Sequence, residues 1–520
     1  MTFDLAAAAA EAEARIARGE RDPHLFNLVA WNRADQGDPV GASALLDEVL
    51  ARDPGEPETL TSKAALLRRQ GRLRDAVLHC DAAIRSAPDY PEAWLERGFV
   101  LAAGGSMAAA GDCYRRVLTL APGNAAAHAG LAGLAARDGE LAKGRAHAEA
   151  ALAAEPGNVI AATALATIDL ESGEPARARN LLVPLVAAMS MPSGDRSVAL
   201  GLLGDVYERL GEPDMAYDSY ARSKQDFATI HDAQFAGRSS HRAFVEAILS
   251  GLVATGSSPD MGAAKPESPA VRHIFLLGYP RSGTTLVENV LASHPAVVAL
   301  EERPTLGAAD RAFLAEPAGL AHFAALTEAE LVPYRDDYWA KVAAAGLSVA
   351  GKCFVDMDPL KATRLPLIAR LFPAARIAIM RRDPRDVVWS CFRTNFALTN
   401  VAMDFTTLIG AARHYDAMMR LTELARERLP LAFCEVRYED VVSDFDATTR
   451  SLCDFAGVSW DPSLRRFDRT AKARGVGTAS AGQVRKGLYD GRRQWEPFAR
   501  WLEPVMPILV PWIDKFGYAG

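Results

Sequence analysis

Over about the first 230 residues, apolar and polar positions follow the period of paired amphipathic helices, in units of constant length. Pro54, Pro88, Pro122 and Pro156 stand 34 residues apart, and Gly37, Gly71, Gly105, Gly139 and Gly173 keep the same step. Five residues after each glycine comes a small residue, Ala42, Ala76, Ala110, Gly144 or Ala178, as close helix contact requires. The pattern resumes after an insertion at Gly211 and Ala216 and is lost beyond Phe227. The alanine run Ala6 to Ala10, between Asp4 and Glu11 with no basic segment before it, predicts a helix and not a signal peptide.

The second half has a different rhythm. His273 to Leu277 (HIFLL), Arg376 to Met380 (RIAIM) and Leu431 to Cys434 are short apolar runs of the kind that form strands buried on both faces, while Thr284 to Leu291 has helical spacing. Between the halves, Ser250 to Pro269 is rich in Ser, Gly, Pro and Ala and reads as an exposed linker. The expected organisation is a helical-repeat domain over 1–249 (repeats over about 22–230), a linker over 250–269, and an α/β domain over 270–520 with a parallel sheet.

Composition narrows this little. The chain has 520 residues, 49% hydrophobic and 24% charged, ordinary values for a folded multidomain protein. A net charge of −7 argues against a nucleic-acid partner, so any anion site must be local. The six cysteines form no CxxC pair and have no nearby histidine at ligand spacing, so neither a disulfide framework nor a metal site is expected. No run reaches the ~18 apolar residues of a membrane span, and Leu181 to Met191 is short and contains Pro184. A cytoplasmic location is the expectation.

The chemistry concentrates in Gly278 to Thr285 (GYPRSGTT). A buried strand, a tight loop and a helix start bring free N–H groups and the positive end of a helix dipole together, with Gly283 allowing close approach. The glycine spacing is that of a nucleotide-triphosphatase P-loop, but Thr284 stands where such a loop keeps lysine and the charge has moved into the loop as Arg281. ATP hydrolysis is thereby disfavoured. A second patch follows RIAIM: Arg382 comes after the strand, Asp383 and Pro384 can open a helix, and Ser390 lies on it.

These features carry two resemblances. The 34-residue unit resembles the tetratricopeptide repeat, best from Pro91 to Pro122 where Trp94, Gly98, Leu101, Ala110 and Tyr114 occupy the signature positions. This implies an all-α, right-handed solenoid whose concave groove binds a protein or peptide partner. PRSGTT resembles the 5′-phosphosulfate loop of sulfotransferases, which implies a P-loop-like α/β domain using 3′-phosphoadenylyl sulfate as co-substrate without a metal. Arg281, Ser282, Gly283, Thr284 and Thr285 would then hold the phosphosulfate. Arg382 and Ser390, eight residues apart as in the family, would hold the 3′-phosphate. Tyr438 in VRYED would contact the nucleotide, and the stretch ASAGQVRK would cover the donor through Ser480, Gln483 and Lys486, with Arg485 the alternative to Lys486.

The nearest resemblance is to protein-tyrosine sulfotransferases and to bacterial proteins that join tetratricopeptide repeats to a sulfotransferase domain, the latter over about residues 30 to 515. In SHPAVVALEER (Ser293 to Arg303) it implies Glu302 as general base, with Glu301 the alternative, beside an anion hole of Arg281, the N–H groups of Ser282 to Thr285, and Ser480. The family's lysine on the leaving-group oxygen falls on Met357 in Asp356-Met357-Asp358-Pro359. Lys361, one helical turn on, is expected to reach the face of Met357, with Lys352, or Arg281 alone, as alternatives. The acceptor is a hydroxyl of a peptide (tyrosine among the options), a glycan or a metabolite, met by loops over Glu302 to Tyr338 and Thr394 to Thr406. The competing expectation is a scaffold whose repeats bind a partner and whose second domain binds nucleotide with little turnover.

Overall fold

A computed structural model describes residues 4–254, 267–316, 318–474 and 481–518. By internal contacts the chain divides into two units, Met1–Ser190 with Asp205–Leu210, and Met191–Gly204 with Gly211–Gly520.

The first unit is all helix. After Leu5–Ala17, capped by Asp4 through the amide of Ala7, five helix pairs follow, from Pro23–Asp35 with Pro39–Arg52 to Val159–Glu171 with Pro175–Ala188. The five turn glycines all have positive φ, from 75° to 87°, a backbone that side-chain-bearing residues seldom adopt. Four of the small residues that follow them, Ala42, Ala76, Ala110 and Ala178, are fully buried, and a Cβ on Gly144 would meet Ile168 Cδ1 at 2.8 Å. The 34-residue step therefore encodes a stack of helix pairs, the tetratricopeptide-like solenoid that the sequence predicts.

The second unit begins within what reads as repeat. Gly211 (φ 72°) and the buried Ala216 continue the pattern, but Pro213–Phe235 packs on the sheet-bearing part of its unit. Its Tyr217 stacks on Trp501 at 4.7 Å and 15°, and its Lys224 ammonium bonds the Thr394 carbonyl and Asn395 Oδ1 (3.2 Å). Thr394 is the C-cap of Pro384–Arg393, where a cation complements the helix dipole. By internal contacts, residues 191–204 and 211–254 thus group with the sheet-bearing unit. Residues 250–254 of the expected linker end the helix His241–Ala254, and 255–266 lie outside the described residues.

Five parallel strands form the sheet, β1 (Arg272–Leu277), β2 (Val297–Glu301), β3 (Cys353–Met357), β4 (Arg376–Arg381) and β5 (Ala432–Arg437), in the order β2-β3-β1-β4-β5. β1, β3 and β4 are buried almost throughout, because helices cover both faces of a parallel sheet. β1 is followed in sequence by a strand on one side of it and flanked on the other by β4, so the loops after β1 and β4 leave the sheet at its switch point, where open α/β folds bind ligands. Among the described residues no helix is long and apolar enough to cross a membrane.

Candidate functional site

The loop after β1 makes the expected strand-to-helix turn. Gly283 (φ 103°) is the N-cap of Thr284–Ala292, and an added Cβ would lie 2.9 Å from Tyr438 Cδ2. Ser282, Thr284 and Thr285 are buried. The N–H of Ser282 is spent inside the turn, on Tyr279 O at 3.0 Å, while the amides from Gly283 onward begin a helix. Of the amides expected to form a hole, Ser282 to Thr285, the first is thus already bonded. Tyr279 anchors the loop below through a buried hydrogen-bonded chain to His414 (2.6 Å) and on to His241 (2.8 Å).

The loops after β1 and β4 meet. Arg281 Nε donates to Ser390 Oγ at 3.0 Å and its Nη2 to Gln483 Oε1 at 3.3 Å. Arg382 donates through Nη1 to Arg281 O (2.9 Å) and through Nη2 to Gly491 O, and sits 3.8 Å from Asp386. Its guanidinium lies 4.7 Å from the centroid of the Tyr438 ring. Tyr438 Oη donates to Tyr489 O (2.6 Å) and accepts from Gly491 N–H (2.9 Å). Arg382 is 8% exposed, and its buried Nε has no hydrogen-bond partner, a costly state for a charged donor. Asp383 N-caps the helix Pro384–Arg393 through the amide of Arg385, as the sequence predicts.

Arg281, Arg382, Tyr438, Gln483, Tyr489 and Gly491 line one cleft with about 500 Å³ of open space, solvent included, together with Gly283, Leu286, Val484, Gly487 and Gln494. Of the predicted binding residues, Arg281, Gly283, Arg382, Tyr438 and Gln483 line it, and Ser390 touches Arg281 beside it. Lys486 is exposed and does not line it, and Ser480 lies outside the described residues. Tyr489, Gly491 and Gln494 escaped the sequence reading. Gly487 and Gly491 bracketing Tyr489 were the available signal, since paired glycines mark backbone that must pass close to something.

Glu302 follows β2. Its N–H bonds Met357 O at 2.8 Å and its φ is 40°. Among the described residues only three non-glycines have positive φ, Arg281 (71°), Glu302 and Arg493 (59°), and strain of this kind gathers at functional sites. Desolvation first, then the charges of Asp358, Glu301 and Glu288, push the Glu302 carboxyl up to about 7 against the opposing pull of Lys361. The side chain still has an exposed surface, so solvent tempers the size of this shift but not its direction.

Met357 is fully buried in the core beneath the helix Thr284–Ala292. Lys361 does not return to its face as expected from helical spacing, because Met357 ends β3 and residues 358–360 form a turn, so no helix links the two. Its ammonium, 3% exposed, pairs instead with the buried Asp356 beside the Glu302 loop.

Residues 273–462 match the model of the Sulfotransferase family, and residues 61–125 and 199–225 match tetratricopeptide-repeat models. The chain thus carries tetratricopeptide repeats and, in its C-terminal half, a sulfotransferase-family domain. An uncharacterized protein of Aquifex aeolicus is 28% identical over 258 residues, 48% of this chain and 33% of that protein, so the match spans a third of that relative's length. Protein-tyrosine sulfotransferase 1 of Danio rerio is 25% identical over 277 residues, covering 47% of this chain and 72% of the relative. Protein-tyrosine sulfotransferase 2 of Gallus gallus is 26% identical, with 47% and 69% covered. Among solved structures, PilW, a type IV pilus biogenesis factor, aligns over 40% of this chain and 94% of its own at 19% identity and a TM-score of 0.35.

Proposed function

We propose that the C-terminal domain transfers the sulfuryl group of 3′-phosphoadenylyl sulfate to an acceptor hydroxyl. The observation that carries this reading is Arg382: a buried guanidinium nitrogen without a partner, on the wall of a cleft that also contains Arg281 and Tyr438, fits a phosphate ligand. Ser390 Oγ, already in contact with Arg281, would share that phosphate. The bound donor would supply the sulfuryl group itself.

The residues divide the remaining work. Arg281 and the first amides of the helix Thr284–Ala292 offer positive potential to charge that develops on transfer. Glu302, with a carboxyl near neutrality, takes the proton of the acceptor hydroxyl. Ser480, Gln483 and Lys486 belong to the segment assigned to covering the donor. Two relatives are by name protein-tyrosine sulfotransferases, so peptide tyrosine is the first acceptor to try, and the repeats are the natural place to hold its polypeptide.

The test is thermal stabilisation by 3′-phosphoadenosine 5′-phosphate against ATP, followed by transfer of labelled sulfate to tyrosine peptides and to lysate. Stabilisation by the first nucleotide and labelled product are expected. Binding without transfer favours the scaffold reading, for which Met357 in the family's lysine position speaks, and no stabilisation by either nucleotide rejects the donor site.

A further inference from the structure

A line of buried polar side chains, which the donor cleft does not use, crosses the sheet and ends at Glu302. Near the opposite end of β1, His273 meets the Tyr338 hydroxyl at 2.8 Å. Tyr338 donates its proton to Asp356 Oδ2 at 2.8 Å, so the imidazole must donate Nε2–H to the phenol oxygen. Burial pushes His273 down to about 3 and Tyr338 well above its ordinary value, so both stay neutral at working pH. Asp356 Oδ2 also accepts from Thr305 Oγ1 at 2.9 Å, while Oδ1 accepts from the Lys361 ammonium. All five residues are under 8% exposed.

Lys361 completes the line. Its ammonium has three protons and three acceptors: Asp356 Oδ1, Thr305 Oγ1 at 3.3 Å and the Arg303 carbonyl at 3.5 Å. None remains for a leaving-group oxygen. The Arg303 carbonyl lies one residue beyond Glu302, and the amide of Glu302 itself is tied to Met357 O at 2.8 Å. The turn that carries the strained Glu302 is therefore held at two points, by the sheet edge at Glu302 and by the ammonium one residue on at Arg303.

We propose that the Asp356–Lys361 ion pair, fixed from behind by Tyr338, His273 and Thr305, is a positioning device for Glu302: it holds the residue's strained backbone and faces its carboxylate with a buried positive charge. This rests on the reading of Glu302 as the base and gives Lys361 an indirect part in place of contact with the donor. A buried ion pair is weak grounds for stability, since apolar residues of similar volume often serve as well, so its place beside this carboxylate calls for a chemical account. The charged groups that act on the Glu302 carboxyl are Glu301 on β2, Glu288 on the helix Thr284–Ala292, and Asp358 and Lys361 after β3. Glu288 is paired with Arg474 at 2.6 Å, which leaves Lys361 as the cation among them.

The experiment compares wild type with the charge-neutral double variant Asp356→Asn/Lys361→Met and with Tyr338→Phe. The Glu302 carboxyl is followed by ¹³C NMR of labelled glutamates and assigned by the resonance lost in Glu302→Gln. The double variant is expected to raise the titration midpoint of Glu302 by about 1 pH unit, because an adjacent cation lowers a carboxyl's pKa by that amount or more. It is also expected to lower kcat about tenfold or more while affinity for 3′-phosphoadenosine 5′-phosphate stays within about twofold. Tyr338→Phe moves both readouts the same way by less, and decides the matter if the double variant does not fold. An unchanged midpoint and kcat in the folded variant overturns the proposal. Wild type that transfers no sulfate overturns the reading of Glu302 as base, while the midpoint still tells whether the pair sets its charge.

Discussion

Arg382 stacks on Tyr438, guanidinium carbon to ring centroid 4.7 Å, and Tyr438 is itself pinned by Tyr489 O and Gly491 N–H. The two residues come from the ends of adjacent strands, so the sheet sets their distance. Arg382→Lys keeps the charge but loses the planar fork and the stacking, and is expected to weaken binding of 3′-phosphoadenosine 5′-phosphate by about 10- to 100-fold. Calorimetric titration measures this, and unchanged affinity would move the nucleotide elsewhere.

Gly283→Ala should abolish stabilisation by the nucleotide. The new methyl group must accept φ near 103° and displace the Tyr438 ring, at a cost of about 1 to 2 kcal/mol for the backbone alone. Melting curves with and without ligand separate lost binding from lost folding.

Glu302→Gln is expected to reduce kcat by at least about 100-fold with little change in nucleotide affinity. In wild type the rate should climb as pH approaches 7 and flatten above it, because only the carboxylate accepts a proton. The same shift predicts an effect on stability. A carboxyl raised from 4.5 to about 7 on folding binds protons more tightly in the folded state, so its contribution is complete below about pH 4.5 and is lost as pH rises through 7. The glutamine variant should melt above wild type at pH 8 and alongside it at pH 4.

The division near residue 190 predicts which fragment is viable. A fragment of residues 191–520 keeps Tyr217 on Trp501 and Lys224 on the Thr394 carbonyl, whereas 270–520 strips both and uncovers Trp389, which is fully buried. The longer fragment should express as a folded nucleotide binder and the shorter should aggregate, as size-exclusion chromatography would show.

Much of this was legible because it is local. The 34-residue step survives in sequence since every helix pair needs the same turn glycine and the same small residue opposite it. GYPRSGTT and the interval from Arg382 to Ser390 are likewise short-range patterns, and the structure brings Arg281, Arg382, Ser390 and Tyr438 together. What stayed hidden was set by packing between distant segments. Lys361 was expected on the face of Met357, but the acceptor that claims it is a carboxylate inside β3, where Asp356 interrupts an otherwise apolar strand. The helix Pro213–Phe235 keeps the repeat's glycine and alanine, and nothing in its own pattern announces that its aromatic face serves another unit.

Trp389 precedes Ser390 on the helix after β4 and is caged by Phe498 at 3.9 Å, Tyr220 at 5.8 Å and Tyr217 at 6.4 Å. An indole held this rigidly, and shut away from water, emits at short wavelength with little quenching by solvent. Trp389 emission is therefore expected to respond to the donor proposed to bind at Ser390, and comparison with Trp389→Phe would isolate its signal from the other tryptophans in label-free stopped-flow measurements.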